Sequence, residues 1–148
     1  MAIPDVEYKK TKFTDRLLVE KVVDKVNKKF LWLIPYKGVE QYWVTQRSFR
    51  YYVGKIGSSD FVDVPKGFET DFASIPIGLR NILPKDGPYT QAAVLHDWLY
   101  NQRKVHGRSR AQCDLVLYEA MGAIGVPQWQ RTLIYNGVKL GGWVYWNK

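Results

Sequence analysis

The chain has 148 residues, a formal net charge of +8 and a 46% hydrophobic composition, which suit one folded domain and leave little room for two. Its single cysteine excludes an internal disulfide, and no apolar run approaches the roughly 20 residues that cross a bilayer. The positive charge favours an acidic partner, such as nucleic acid, an anionic lipid surface or an acidic protein, without choosing among them.

Residues 1–29 alternate charged side chains with isolated apolar ones. This pattern predicts either weak edge strands or a solvated arm. The segment lacks the basic region and the apolar stretch of a secretory signal. We therefore expect the protein to be made in a cytoplasm, with any later export by another route.

Residues 30–76 are rich in aromatic and β-branched side chains, and they predict a β-rich part of the domain. The apolar run at 30–35, a turn at 36–38 and a second strand at 41–45 together predict a β-hairpin.

Two further short strands are predicted at 48–53 and 61–64, each closed by glycine or proline turns. From Phe68 onward the side chains alternate between two faces, which indicates an extended segment. That alternation projects Glu69 and Asp71 together, away from the phenylalanine face.

Residues 77–148 predict a mainly helical part. Three helices are expected, at Pro88–Gln102, at Arg110–Met121, and from Pro127 to the glycine pair at 141–142, followed by an aromatic tail. Strands come first and helices last, which indicates an α+β fold. We expect N-terminal antiparallel β-hairpins or a small sheet, then a three-helix C-terminal part, in a single domain over residues 1–148.

A histidine and two aspartates give the helical part its chemical interest. His96 and Asp97 lie in the first predicted helix, and Asp114 lies in the second. The middle of the link between the helices is equidistant in sequence from His96 and Asp114, so an antiparallel hairpin brings the two residues roughly opposite each other. A histidine that faces an aspartate can be held in one tautomer and act as a general base.

Two interpretations of this pair stay open. A buried His–Asp pair can simply fasten two helices together. Alternatively, the three residues form a site in which Asp97 binds a cation. Two carboxylates around one histidine carry more negative charge than is needed to hold two helices together, and such oxygen-rich places favour divalent cations. Asp71 is either a further oxygen ligand from the strand layer or a turn carboxylate before Ser74.

The link between the helices and the residues beside it are basic, with Arg103, Lys104, Arg108 and Arg110. Such a cluster either binds phosphate groups or forms a solvated helix end. His106, in the same link, is expected to be exposed. No helix-turn-helix or zinc-finger signature accompanies the charge, so nucleic acid is the partner we expect least.

Three ordered motifs resemble a family of uncharacterised proteins encoded by phages and prophages. They are GFxTDxASxP at 67–76, HDxLY at 96–100, and a later Arg…Asp at 110–114, and the resemblance covers residues 28–145. It implies a phage origin, a place in the virion tail or neck, and other virion or tail proteins as partners. It implies no reaction.

A second resemblance is narrower. Residues 92–100 (AAVLHDWLY) are similar to the active-site helix of secreted phospholipases A2, whose core is CCxxHDxCY, and Cys113-Asp114 is similar to the second helix of that family. The resemblance implies that His96 deprotonates water, that Asp114 orients His96, and that Asp97 binds Ca²⁺. The ion would polarise the ester carbonyl and stabilise the oxyanion.

The chain departs from the phospholipase pattern at two points. Alanines replace the paired cysteines, and no glycine-rich calcium loop precedes the helix. The remaining ligands of the metal are therefore open, with Asp71 or the loop carbonyls near Asp86 and Gly87 as candidates.

Together these observations predict a phage virion or tail-associated protein with a metal-dependent hydrolase site that acts on the host envelope, on phospholipid esters first and peptidoglycan second. Such a protein would be made in the host cytoplasm and incorporated in the virion. The alternative is a non-catalytic component of the tail, tail tip or neck, in which the same residues only stabilise the helix hairpin.

Overall fold

Strands precede helices along the chain. The computed structural model describes residues 12–30, 34–70, 79 and 89–147. Within them the chain forms β1 (Val19–Phe30), β2 (Ile34–Thr45), β3 (Phe49–Tyr52), β4 (Phe61–Val64), β5 (Glu69–Thr70), α1 (Thr90–Asn101), α2 (Arg110–Ala123), α3 (Gln128–Gly141) and α4 (Trp143–Trp146). The predicted α+β architecture, with antiparallel strands before a helical C-terminal part, is confirmed.

The first sheet has the strand order β1-β2-β5. β1 and β2 form one antiparallel ladder, with Phe30 opposite Ile34 at one end. The turn predicted at 36–38 is wrong, because Lys37 pairs with Asn27 inside this ladder. A twelve-residue β1 gives β2 a backbone partner along its whole length, and pairing satisfies donors and acceptors that a turn would leave open.

The location of β1 also decides between the two expectations for the N-terminal segment. Residues 19–29 form an edge strand of the first sheet, as one of the alternatives predicted, and not a solvated arm. Residues 1–11 and the segment 31–33 lie outside the described residues.

The second sheet consists of β3 and β4, close to the strands predicted at 48–53 and 61–64. The two strands are antiparallel, with Phe49 opposite Val64. Side chains alternate between buried and less buried positions along both strands. One face of this sheet therefore packs into the core while the other faces solvent.

The segment before β1 runs antiparallel beside β3, at the edge of the second sheet. Phe13, only 1% exposed, forms an isolated antiparallel bridge with Tyr51. Lys12 donates to Glu119 of α2 over 2.7 Å, and the side-chain amide of Gln91 donates to the carbonyl of Asp15 over 2.8 Å. The segment thus joins the second sheet to both α1 and α2.

Helix α1 lies at the centre of the helical part. Its buried residues are Gln91, Ala92, Ala93, Val94, Leu95, His96, Leu99 and Tyr100. A helix this buried must be covered on several sides, here by β4, β5 and α2. The start predicted at Pro88 lies outside the described residues, and the observed helix begins at Thr90.

The link between α1 and α2 ends in a capping box. The Ser109 hydroxyl accepts from the Gln112 backbone over 3.2 Å, and the Gln112 side chain accepts from the Ser109 backbone over 2.8 Å. His106 is half-buried, so its expected exposure is wrong. Its Nε2 donates to the carbonyl of Leu99 over 2.7 Å, and its Nδ1 accepts from the Arg108 backbone over 2.9 Å. It therefore satisfies a carbonyl in the last turn of α1.

Helix α3 covers the hairpin, with Ile134 and Val138 fully buried. Gly142 follows its last residue, close to the predicted end. The aromatic tail that follows folds into the short helix α4. Among the described residues, no helix has both the length and the apolar character needed to cross a membrane.

Candidate active site

The centre of the candidate site is the pair that the sequence places across the helix hairpin. The Nε2 of His96 lies 2.8 Å from the Oδ1 of Asp114. His96 is 0% exposed and Asp114 is 2% exposed. A carboxylate this deeply buried needs hydrogen-bonding partners to offset its lost hydration.

Tyr100 provides a second partner for the same carboxylate. Its hydroxyl donates to the Oδ1 of Asp114 over 2.6 Å, and its ring centroid lies 4.2 Å from that of His96. Burial raises the pKa of Tyr100 well above its ordinary value, and the hydrogen bond to Asp114 raises it further. Tyr100 therefore keeps its proton and acts as a permanent donor.

These contacts fix the tautomer of His96. An ionised carboxylate offers only acceptors, so the hydrogen between His96 and Asp114 belongs to Nε2 of the ring. In the neutral imidazole the lone pair is then on Nδ1. The arrangement makes Nδ1 the basic nitrogen of the ring.

A cation lies close to the other carboxylate oxygen. The guanidinium of Arg110, one helical turn before Asp114, is 3.8 Å from its Oδ2. The same nitrogen, Nη1, donates to the carbonyl of Lys139 over 3.0 Å. Arg110 thus places a positive charge beside the pair and connects the start of α2 to the end of α3.

The junction of α3 and α4 covers Tyr100. The ring of Trp146 meets the ring of Tyr100 edge-on at 5.2 Å between centroids. A Cβ built on Gly142 would lie 2.6 Å from the Tyr100 hydroxyl and 2.7 Å from the carbonyl of Val138. Glycine is therefore required at this position for the hydroxyl to reach Asp114.

The close approach at Gly142 leads to a testable expectation. Gly142→Ala should lower the free energy of unfolding by about 1–3 kcal/mol, because the added methyl group overpacks the contact with Tyr100. Gly122→Ala is the matched control, since its methyl group would meet the end of the Arg131 side chain, which can move. Chemical denaturation of both variants measures the difference. Equal stability of the two would show that the Gly142 contact carries no strain.

Asp97 lies away from the pair, toward the first sheet. Its Oδ2 accepts a hydrogen bond from the hydroxyl of Thr70, in β5. Thr70 is 4% exposed and lies opposite Trp43 in the ladder with β2. The carboxylate that the sequence assigns to a metal is therefore oriented by a strand, on a different side of α1 from Asp114.

The predicted metal site is only partly within the described residues. Asp71, the second predicted ligand, lies outside them, as do the loop carbonyls near Asp86 and Gly87. Within the described part of the chain, no cluster of three or more His, Cys, Asp or Glu side chains could hold a metal. Asp97 and the Thr70 hydroxyl together have three side-chain oxygens, fewer than the roughly six to eight that Ca²⁺ takes.

Three of the four residues of the basic cluster make contacts within the chain. Arg103 donates to the carbonyl of Tyr100 over 2.9 Å, and Arg108 forms a salt bridge with Asp60. Arg110 donates to the carbonyl of Lys139, near the end of α3, whereas Lys104 is exposed. Holding the ends of the helices in place is therefore the role that these contacts support.

Glu119 is a polar residue that the sequence patterns did not single out. One of its carboxylate oxygens accepts from Lys12 over 2.7 Å, from the Tyr51 hydroxyl over 2.8 Å and from the Gly54 backbone over 2.8 Å. Burial raises the pKa of Glu119, but these three hydrogen bonds outweigh it and hold the pKa below its usual value. Tyr51 is 0% exposed, so Glu119 satisfies a fully buried hydroxyl.

A cleft of about 330 Å³ opens beside the hairpin link. Trp98, Gln102 and Arg108 are among its lining residues, and neither His96 nor Asp114 is. The pair is therefore not reached through this cleft.

The comparisons with known proteins place the chain in a family without assigning it a reaction. The family described as "Protein of unknown function (DUF1353)" matches residues 43–138, from the last three residues of β2 almost to the end of α3. No curated protein and no solved structure matches the chain. Because the family match covers more than half of the sequence, the chain belongs to the DUF1353 family.

Proposed function

We propose that this protein is a hydrolase in which His96 acts as the general base and Asp114 orients it. The observation that carries the proposal is the hydrogen-bonded arrangement of His96, Asp114 and Tyr100 in a buried part of the hairpin. The hydrogen bond to Asp114 leaves Nδ1 of His96 as the basic nitrogen of the ring. The Asp114 carboxylate is then in position to stabilise the positive charge of a protonated His96. Matching a base to a charge partner in this way is typical of general-base catalysis.

The proposed step is the hydrolysis of an ester. Nδ1 of His96 takes a proton from water while the water oxygen attacks the carbonyl carbon. Asp114 stabilises the imidazolium that forms, and Tyr100 holds the carboxylate in position. The imidazolium then returns the proton to the leaving alkoxide as the ester C–O bond breaks, which yields a carboxylic acid and an alcohol.

Calcium is the second part of the proposal. Asp97 is the carboxylate that we assign to the ion, with Asp71 as a further ligand. The Thr70 hydroxyl supports this assignment, because it fixes the orientation of Asp97. When bound, Ca²⁺ would polarise the carbonyl of the substrate.

The place of action is proposed from the sequence motifs. The resemblance of GFxTDxASxP and HDxLY to phage and prophage proteins supports a virion or tail-associated protein, made in the host cytoplasm, with other virion proteins as partners. The helix similar to that of phospholipases A2 favours a phospholipid ester of the host envelope as substrate, with peptidoglycan as the second choice.

Fatty acid release from anionic phospholipid vesicles tests the proposal. The wild-type chain is expected to release fatty acid with Ca²⁺, and His96→Ala should lower the rate by about 10²–10⁴-fold, the usual contribution of a general base. Removal of Ca²⁺ by a chelator should also lower the rate of the wild-type chain.

His106→Ala is the matched control, because His106 is the only other histidine in the sequence and lies in the link. It should retain the wild-type rate. Equal, background-level release by the wild-type chain and His96→Ala would refute the lipase proposal. Peptidoglycan, offered in the same assay format, would then test the second substrate.

One observation favours the alternative, a non-catalytic component of the tail, tail tip or neck. His96 has no exposed surface, as expected for a pair that only fastens two helices. Particles carrying His96→Ala distinguish the two functions. Particles that assemble correctly but do not infect count against the purely structural role, whereas failure to assemble supports it.

A further inference from the structure

The outer side of α3 and α4 carries an exposed apolar stripe. Its members, which we call the outer face, are Trp129 (63% exposed), Leu133 (36%), Leu140 (79%), Trp143 (56%) and Val144 (44%). Residues 129, 133 and 140 recur at intervals of four and seven, so they share one side of α3. Ile134 and Val138, fully buried, lie on the opposite side of the same helix.

The charged residues in the sequence that contains the outer face are of one sign. From residue 120 to the last residue the sequence has three basic residues, Arg131, Lys139 and Lys148, and no aspartate or glutamate. Lys139 is exposed beside Leu140. An anionic surface is therefore the complementary occupant, whereas a second copy of the same basic face would be repelled.

The arrangement of side chains favours a lipid surface among anionic occupants. Tryptophans stand near both ends of the stripe, with leucines between them, and tryptophan prefers the boundary between apolar and polar regions of a bilayer. Helix α3 has 14 residues, or about 21 Å at 1.5 Å per residue, which is too short to span a bilayer but suits a helix lying in its surface.

We propose that the outer face docks the protein on an anionic phospholipid bilayer, with α3 parallel to the membrane plane. The face ends beside the candidate site, because Gly142, between Leu140 and Trp143, contacts the Tyr100 hydroxyl. This inference deepens the proposed function, and the link between docking and catalysis rests on that function. The binding to the bilayer itself requires no hydrolysis.

Flotation with vesicles tests the docking surface. The probe is the full chain mixed with vesicles of phosphatidylglycerol and phosphatidylcholine, or of phosphatidylcholine alone, in buffer with a calcium chelator. The wild-type chain is expected to float with the anionic vesicles and to detach as salt rises, because the basic residues are screened. Vesicles of phosphatidylcholine alone should retain much less protein.

A double variant of the outer face and a single variant outside it provide the specific test. Leu140 and Val105 are both 79% exposed, but Val105 lies in the link, outside the outer face. The combined change Trp129→Glu and Leu140→Gln should weaken binding to anionic vesicles at least about tenfold, the ratio expected when one or two large apolar side chains no longer enter the bilayer. Val105→Gln should bind like the wild-type chain, and thermal unfolding of each variant confirms that it is folded.

Several outcomes would overturn the proposal. They are the absence of flotation at low salt, equal binding by the double variant and Val105→Gln, and a dimer in sedimentation that the double variant abolishes. The last result would assign the face to a second copy. The His96→Ala chain separates this proposal from the proposed function, since it should float normally even though it does not hydrolyse lipid. A chain that releases fatty acid but does not float would overturn the docking surface alone.

Discussion

Replacement of Asp114 by alanine is expected to lower the free energy of unfolding by about 2–6 kcal/mol, because each of two buried donors left without an acceptor costs about 1–3 kcal/mol. The carboxylate accepts from both the His96 ring and the Tyr100 hydroxyl, over 2.8 and 2.6 Å. Its removal leaves two buried polar groups without their shared acceptor. Denaturation in urea, followed by circular dichroism, measures the loss.

Asp114→Asn is the matched control for the alanine variant. Both hydrogen bonds end on the same oxygen, Oδ1, so an amide oxygen in that place can still accept them. We expect a loss of stability clearly smaller than that of the alanine variant, together with a loss of activity, because a neutral amide does not stabilise a protonated His96. An alanine variant as stable as the wild-type chain would contradict the pairing described for this carboxylate.

The second large effect is expected at Glu119. Glu119→Ala should cost about 2–4 kcal/mol, because it removes the acceptor of three hydrogen bonds, one of them from the fully buried Tyr51. The loss should loosen the contact between α2, the second sheet and the segment that contains Lys12. Urea denaturation at neutral pH measures this change, with the exposed position Lys104→Ala as a control of little effect.

The pH dependence of stability provides an independent check on Glu119. The pKa of Glu119 in the folded chain lies below its ordinary value of 4.5, so the carboxylate stabilises the fold above about that pH. As the pH falls from 4.5 through the folded-state pKa, protonation removes this stabilisation. The difference in unfolding free energy between the wild-type chain and Glu119→Gln should therefore be largest near neutral pH and shrink in acid. A difference that stays constant between pH 7 and pH 3 would contradict the charged hydrogen bonds.

The parts of the fold that depend on residues close together along the chain were predictable from the sequence. The strand predicted at 61–64 agrees with β4 residue by residue, because glycine and proline signals bound it on both sides. The contact of His96 with Asp114 follows from the symmetry of a helix hairpin, which needs only the helix boundaries and the length of the link.

Features that depend on distant residues were not predictable in the same way. The turn placed at 36–38 rests on local residue preferences, and only the partner strand β1 shows that these residues continue a ladder. Tyr100 lies at the expected helical spacing from His96, yet its bond to Asp114 also requires the glycine at position 142. Glu119 has no signal at all in the sequence, because its three donors come from two segments, around residue 12 and at residues 51–54, that are both distant from it along the chain.

The segment around Phe13 has a practical consequence for anyone who trims the gene. A fragment limited to the family match, residues 43–138, would lack the phenylalanine that bridges Tyr51 and the lysine that binds Glu119. It would also lack all of β1 and most of β2, and lose the indole of Trp146 that covers Tyr100. Such a fragment would expose core surface at both termini, so recombinant work is best done with both flanks retained.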